Sequence, residues 1–414
     1  YLKVFDTHIT KSNVRPSNFD SLQNKFDIYF DHPNYNFDAG IISHEDMQVS
    51  NNNDRYQYNL PYYNYSTTIN QNKLNGSLIF SSSGNNVLKN TNQLDTSITN
   101  DLSYKSDEYI SNLGLSNNFE INLRNFNSIG KKSEYKSSGD SEMISIFGLN
   151  SNFPLEKINQ SYKSQLIPKA SFKFNPSDMK NYSNDDRRIN VGNIFSLNRL
   201  GFSDTYEAGK SLTLGVDYRI EKIDTKKSDD YDLEDINRYF ELKLATSLRD
   251  TEEKFIPINS TLNRKQSNLF GSLTTNLNRH LELDYDFALD NDLNTLEYNS
   301  ISSTLQFNKF ETTLNFIEEN GEMGDANIIQ NSFSYKFDNS NSINFNTRRN
   351  RKIDLTEYYD LVYEYKNDCL TAGIKYKKTY YEDRDLKPTE NLLFTVTIFP
   401  LTTYEYNADD LVDN

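Results

Sequence analysis

"SLTLGVDYRIEK", Ser211 to Lys222, alternates from end to end. Leu212, Leu214, Val216, Tyr218 and Ile220 share one face, while Ser211, Thr213, Asp217 and Arg219 share the other. Side chains of a β-strand point to opposite faces in turn, so this stretch reads as a strand with one apolar and one polar side. The pattern recurs in "YFELKLATSL", where Phe240, Leu242, Leu244 and Leu248 oppose Glu241, Lys243 and Ser247. It recurs again in "LELDYDFALD" and in "FETTLNF", "SFSYKF" and "NLLFTVTIF". A slip of one residue would turn each face inside out, so these registers are well specified. No stretch has a convincing 3.6-residue spacing, and the chain reads as all-β.

Segment length narrows the architecture. The alternating runs are about 9–13 residues, longer than the usual globular strand and long enough to cross a bilayer at a tilt. About twenty such segments fit a large antiparallel transmembrane β-barrel better than a sandwich. Connections in the second half alternate in length. "NLNRH", "FNKF", "FDNSN" and "KND" are tight; "DTEEKFIPINSTLNRKQS", "DNDLNT", "EENGEMGDAN", "TRRNRKIDLTE" and "YYEDRDLKPTE" lie between them. Short turns on one rim and long polar loops on the other characterise outer-membrane barrels. "KIDTKKSDDYDLEDIN" breaks the alternation, marking either a miscounted strand or an acidic excursion on the short-turn rim.

Composition agrees with this reading. Only 36% of the 414 residues are hydrophobic and the mean hydropathy is −0.77, yet 29 Tyr and 26 Phe make 13% aromatic. Disordered chains are aromatic-poor, whereas sheets with one wet face combine low hydrophobicity with many aromatics. Trp is absent, so an interfacial belt would be built from Tyr and Phe. A net charge of −15 argues against a nucleic-acid surface. No run approaches 18 apolar residues, which excludes a transmembrane helix and leaves barrels open. The opening "YLKVFDTHIT" already looks like a strand, and the expectation is a C-terminal excerpt whose residues 1–414 form one barrel domain.

Nothing points to catalysis or a cofactor. His8, His32, His44 and His280 are scattered without ligand spacing, and the single cysteine removes any multi-Cys zinc site. "SDDYDLEDIN" lacks the glycine and spacing of a calcium loop. "DDRRIN" and "YEDRD" read as exposed ion pairs. No nucleophile elbow, phosphate loop or dinucleotide fingerprint occurs.

Two segments stand apart. Between the strand ending at Phe174 and the one starting at Lys210 runs a stretch of more than thirty residues rich in Asn, Arg, Asp and Gly. Loops of that length are functional or disordered. The apolar kernel Ile194-Phe195-Ser196-Leu197, with Arg187, Arg188 and Arg199, predicts an ordered loop packed onto something. The other segment, Tyr359 to Phe399, holds the lone Cys369 in an Asn367-Asp368 turn.

"NVGNIFSLNRLGFSDTYEAGKSLTLGVDYR" resembles a pattern of the LptD, or organic-solvent-tolerance, family: Asn-Leu-Phe, a small and a hydrophobic residue, Asn-Arg, Gly, Asp, then a strand. Asn193, Phe195, Asn198, Arg199, Gly201, Asp204 and Gly209 match it, while Phe202 and Ser203 alter the spacing. "YYDLVYEYKNDCLTAGIKYKKTYYEDRDLKPTENLLFTVTIF" is similar to that family's final three strands, and "RYQYNLPYYNY" to its Leu-Pro-hydrophobic step.

The resemblance implies export of lipopolysaccharide and its insertion into the outer leaflet of the outer membrane of a Gram-negative bacterium. It implies no enzyme activity and no cofactor. The implied partners are lipopolysaccharide, an LptE-like plug lipoprotein in the lumen, the barrel-assembly machinery, outer-membrane lipid, and an LptA-like periplasmic bridge reached through an N-terminal domain absent from this chain. The family's barrel has roughly 26 strands, so the first several would be missing too. The lateral gate would use a last strand carrying Leu392, Phe394, Val396 and Ile398. The loop motif would fold into or over the lumen and help to close it. Cys369 stands either as an incidental thiol or, as the resemblance implies, as half of a disulfide to the absent periplasmic domain. A porin or nutrient receptor shares every strand-level feature, and a secreted β-rich adhesin is the rival from another class.

Overall fold

A computed structural model of the chain describes residues 21–46, 55–70, 75–89, 92–133, 135–223, 238–278, 280–380, 389–399 and 402–408. The expected strand at Tyr1–Thr10, with His8, lies outside these residues, as do "SDDYDLEDIN" and "YEDRD". The first ten strands are β1 (Ser21–His32), β2 (Tyr35–Asp46), β3 (Tyr56–Thr68), β4 (Gly76–Lys89), β5 (Gln93–Ser106), β6 (Tyr109–Ile110), β7 (Ser116–Lys131), β8 (Asp140–Asn152), β9 (Leu155–Ile158) and β10 (Tyr162–Asn175). Six more follow: β11 (Gly209–Lys222), β12 (Tyr239–Arg249), β13 (Leu269–Asn278), β14 (Leu281–Leu289), β15 (Leu296–Phe307) and β16 (Phe310–Glu319). The last six are β17 (Asn327–Lys336), β18 (Asn341–Asn350), β19 (Leu355–Lys366), β20 (Leu370–Thr379), β21 (Thr389–Ile398) and β22 (Thr402–Asn407).

All 22 belong to one antiparallel up-and-down sheet, in which each long strand pairs with its neighbours in the chain. The two short strands β6 and β9 are additions beside β7 and β10. Among the described residues, β1 pairs only with β2, and β22 only with β21. β11 and β12 are direct neighbours, paired from Ser211 with Arg249 to Glu221 with Tyr239, and the acidic stretch between them lies outside the described residues.

The burial of β11 inverts that of a soluble protein. Leu212 and Leu214 are 38% and 41% exposed, whereas Thr213 between them is 0% exposed. Apolar side chains therefore face outward and hydroxyls inward, the arrangement of a barrel wall set in lipid. Cross-strand pairs continue the outer face: Phe172 opposes Leu212, Ala170 opposes Leu214 and Leu166 opposes Tyr218. Exposed aromatics gather at the short turns, with Phe30, Tyr35, Tyr162, Phe307, Phe337 and Phe399 at or beside them. They supply the Trp-free interfacial belt.

The core is inside the curl of the sheet. One buried cluster joins Ile194, Leu200 and Phe202 of the connection 176–208 to Ala245 on β12, Phe270 on β13, Ala288 on β14 and Met323 beyond β16. The same connection touches Arg124 on β7 and Glu319 on β16. Laid flat, those strands would stand roughly 40 Å apart at the usual strand spacing. The sheet wraps around the loop.

One expectation changes in detail. The strand bearing Leu392, Phe394, Val396 and Ile398 is β21 and not the last: β22 follows and pairs with it from Leu393 to Ile398. "TTYEYN" alternates over only six residues, too short to read as a membrane-crossing run. In β3 the Leu60-Pro61 step coincides with a register break between Asn59 and Tyr62, because proline has no N–H for the ladder.

Candidate functional site

The loop 176–208 docks on a polar patch of the inner wall that strand register assembles. Ser171, Thr213 and Ser247 lie side by side across β10, β11 and β12, and Lys173, Ser211 and Arg249 form the neighbouring row. All six are buried. Onto this patch the loop lowers one ion pair. Arg199, its side chain 0% exposed, donates from Nε and Nη2 to the Glu207 carboxylate at 2.7 and 2.5 Å. Its Nη1 donates to Thr213 Oγ1 and Ser247 Oγ, both at 2.9 Å, and Nη2 to Ser211 Oγ at 3.1 Å. Those contacts occupy all five guanidinium N–H groups, a fork that a lysine ammonium cannot reproduce.

Glu207 also accepts from Arg249 Nη1. On the far side, Lys173 Nζ donates to the carbonyls of Ile194 at 3.1 Å and Ser196 at 2.5 Å. Two guanidinium groups, Arg199 and Arg249, thus hold one carboxylate away from water. Burial works to raise the Glu207 pKa, but Arg199, Arg249 and Lys173 outweigh it and hold the group down at about 2, against an ordinary 4.5.

A lowered pKa contributes stability that is complete above the ordinary value and is lost as pH falls through the folded value. The window for Glu207 runs from 4.5 down to about 2, a contribution of about 3 kcal/mol to loop docking. A nitroxide at Val191, with Cys369 first replaced by serine, should be immobile at neutral pH and become mobile across that window. Glu207→Gln should remove the acid transition. An acid transition unchanged in that variant would sink the assignment.

Other anchors hold the rest of the loop. Arg124 pairs with Asp101 of β5 through two bonds of 2.7 Å and donates to the carbonyls of Phe202 and Ser203 at 3.0 and 2.8 Å. Its guanidinium lies 4.6 Å over the Tyr206 ring. Asp204 accepts from Tyr182 Oη at 2.5 Å and from Lys180 Nζ at 3.2 Å, and Tyr182 stacks on Phe202 at 4.3 Å. Burial, then the bond to Asp204, pushes the Tyr182 phenol up. Arg188, in the cluster "DDRRIN", pairs with Glu319 at the end of β16. The loop 250–268 packs above: Tyr182 N donates to Phe255 O at 2.9 Å and Ile258 N to Ser183 O at 3.2 Å. Two strand glycines make room for loop side chains. A Cβ on Gly215 would come within 2.7 Å of Phe195, and one on Gly148 within 2.7 Å of Leu197.

The motif residues divide by role. Phe195, Arg199 and Asp204 reach the wall or the rest of the loop, as above. Asn193 and Asn198 shape the loop itself: Asn193 Nδ2 donates to Arg188 O at 3.1 Å and Asn198 Nδ2 to Phe202 O at 2.9 Å. Gly201 has φ +67°, where a side chain would be strained. Glu207, Lys173, Arg249, Arg124 and Asp101 were not singled out from sequence. A charge at an inner slot of a strand looks like any other there, and only register and the docked loop distinguish these.

Beneath the loop, toward the short-turn rim, a cavity of about 510 Å³ is lined by Lys105, Asn118, Glu120, Asn150 and Lys169. Lys105 meets Glu120 at 3.0 Å and Asn150 Nδ2 donates to Asn118 Oδ1 at 3.0 Å. Amides and paired charges from the strands line one side of the cavity, and Val191, Phe195 and Leu197 of the loop the other. Cys369 lies exposed at a short turn, its N–H donating to Asn367 Oδ1 at 3.1 Å. Among the described residues no group of His, Cys, Asp and Glu could hold a metal.

The family model described as "LptD: LPS transport system D" matches residues 118–366, more than half of the chain, including the loop 176–208 and strands β10, β11 and β12. The chain belongs to the LptD family. It is a lipopolysaccharide-transport protein of the outer membrane, and the outward apolar face of its sheet meets lipid. Among solved structures, it is similar to the siderophore receptor PirA from Acinetobacter baumannii, with TM-score 0.41, 9% identity, and coverage of 92% of this chain and 72% of that one. The ferric enterobactin receptor PfeA from Pseudomonas aeruginosa, in a mutant form, gives 0.40, 9%, 95% and 72%. The FrpB iron transporter from Neisseria meningitidis gives 0.36, 9%, 92% and 72%. These likenesses are too distant to carry weight. No curated protein sequence matches this LptD-family chain.

Proposed function

We propose that this LptD-family chain passes the sugar portion of lipopolysaccharide through its lumen and releases the molecule sideways into the outer leaflet, while the loop 176–208 keeps the lumen shut to other solutes. The observation that carries this reading is a wet inner wall with a loop locked across it by Arg199 and Glu207. Lipopolysaccharide is amphipathic: its sugars need the polar lumen, and its acyl chains need an exit through the wall. The exit is assigned to the side of the sheet formed by β21 and β22, where Leu392, Phe394, Val396 and Ile398 lie on β21.

In this reading, residues 1–414 act as one barrel domain, and Asn193, Phe195, Asn198, Arg199, Gly201 and Asp204 seat the loop. A plug lipoprotein enters from the short-turn rim, where the lower cavity opens. Cys369, on that rim, bonds to a cysteine of a periplasmic domain that receives lipopolysaccharide from the bridge. The test is photo-crosslinking in growing cells. Benzoylphenylalanine at Asn150, inside the cavity, should capture lipopolysaccharide, whereas at Leu149, which points outward on the same strand, it should capture far less. Capture at Leu149 alone would defeat the lumen route.

A further inference from the structure

The cavity of about 510 Å³ beneath the loop has a floor and a roof of unlike chemistry. Its volume falls within the roughly 300–1,000 Å³ of small-molecule sites. Strand register builds the floor. Asn118 opposes Asn150, Asn150 opposes Ser171 and Asn152 opposes Lys169, so these side chains share the inner face. Along that row Ser171 Oγ donates to Asn150 Oδ1 at 2.7 Å, and Asn150 Nδ2 donates to Asn118 Oδ1 at 3.0 Å. Asn118 Nδ2 and the side-chain amide of Asn152 face the cavity and have no hydrogen-bond partner among the described residues. The two lysines of the floor are paired, Lys105 with Glu120 at 3.0 Å and Lys169 with Asp217.

The roof is the loop from Val191 to Leu197, with Phe195 at its centre. Lys173 fixes it there by binding the carbonyls on either side of that residue, those of Ile194 and Ser196. The tip of the Phe195 ring rests at Gly215, and the Lys169 ammonium lies 5.8 Å from the ring centroid. A held aromatic ring thus faces amides with unused hydrogen-bonding capacity.

That pairing is complementary to a sugar. A pyranose ring has an apolar C–H face that packs on an aromatic ring, and its hydroxyls both donate and accept, as a carboxamide does. We propose that the cavity binds a short run of sugar rings, one of them packed on Phe195 and hydrogen-bonded to Asn118 and Asn152, and that the bound sugar keeps the loop docked. The assignment rests on the lumen route proposed above and names a subsite on it. Because the ligand touches both wall and roof, it binds only the docked form, and mass action then favours docking. The lumen stays sealed while substrate waits beneath the loop.

The probe is core oligosaccharide released from lipopolysaccharide by mild acid, titrated into the full-length protein purified intact from membranes. Saturation-transfer NMR should show contact with the sugar. At about ten times the Kd, trypsin cleavage after Arg187 or Arg188 should slow roughly tenfold. Asn118→Leu with Asn152→Leu should weaken binding about tenfold, the effect of two lost hydrogen bonds, while heat-modifiable gel migration persists. No contact in the wild type, cleavage unslowed by bound sugar, or equal affinity in the variant overturns the proposal. Should the double variant fail to fold, Asn152→Leu alone decides: affinity weaker by about threefold supports the site, and unchanged affinity overturns it. The two readings fail separately. Lipopolysaccharide captured at Asn150 without oligosaccharide binding removes this site and leaves the lumen route. Oligosaccharide binding with capture at Leu149 alone supports the site and removes the route.

Discussion

Excising residues 186–203 and joining the ends with a short glycine-serine link should open the outer membrane to antibiotics too large for porins, in cells with no other copy of the protein. The stretch supplies Ile189, Ile194, Leu200 and Phe202 to the buried cluster inside the sheet. It also supplies both carbonyls that Lys173 binds and Arg199 itself. Without it the polar cavity beneath the loop runs on toward the long-loop rim. Barrels of this strand number leave an aqueous channel unless something fills it. The outer ladders of β10, β11 and β12 do not depend on the loop, so the wall should still form. Planar-bilayer conductance of porin scale and vancomycin sensitivity are the expected readings. Unchanged permeability from a correctly folded variant would show that something else closes the lumen.

Arg199→Ala should unlatch the same loop without removing it. Breaking a buried, hydrogen-bonded ion pair from one side costs about 3–5 kcal/mol, because the partner charge and the hydroxyls are left without their donors. That shifts the ratio of docked to released loop by roughly two to four powers of ten. Glu207 keeps Arg249, which softens the loss, but Ser211, Thr213 and Ser247 lose the donor they share. Trypsin cleavage after Arg187 or Arg188 reads the released population, since proteolysis follows the open form when reclosing is fast. Cleavage should be slow in the wild type and fast in Arg199→Ala. Arg199→Lys should fall between, keeping the charge but not the planar fork. An alanine variant as resistant as the wild type would remove Arg199 from the latch.

The alternation in Ser211–Lys222 was enough to read a sheet with unlike faces, and turn lengths were enough to read two unlike rims. The loop kernel at Ile194–Leu197 was legible for the same reason: an apolar run inside a long polar connection must be buried somewhere. The latch was not legible. Lys173 and Arg249 occupy inner slots that polar residues fill in every strand, and nothing local sets them apart. The short β22 escaped as well, because six alternating residues carry little periodic signal.

The sequence by itself determined the all-β class, the direction each strand face points and the position of the long loop, because period-two patterning and turn chemistry act between near neighbours. Only the tertiary structure decided which inner residues meet the loop. Ser171, Thr213 and Ser247 are separated by more than thirty residues at each step, yet register sets them in one row. Closing a sheet around its own connection is what brings Arg199 and Glu207 onto that row, and no local pattern records it.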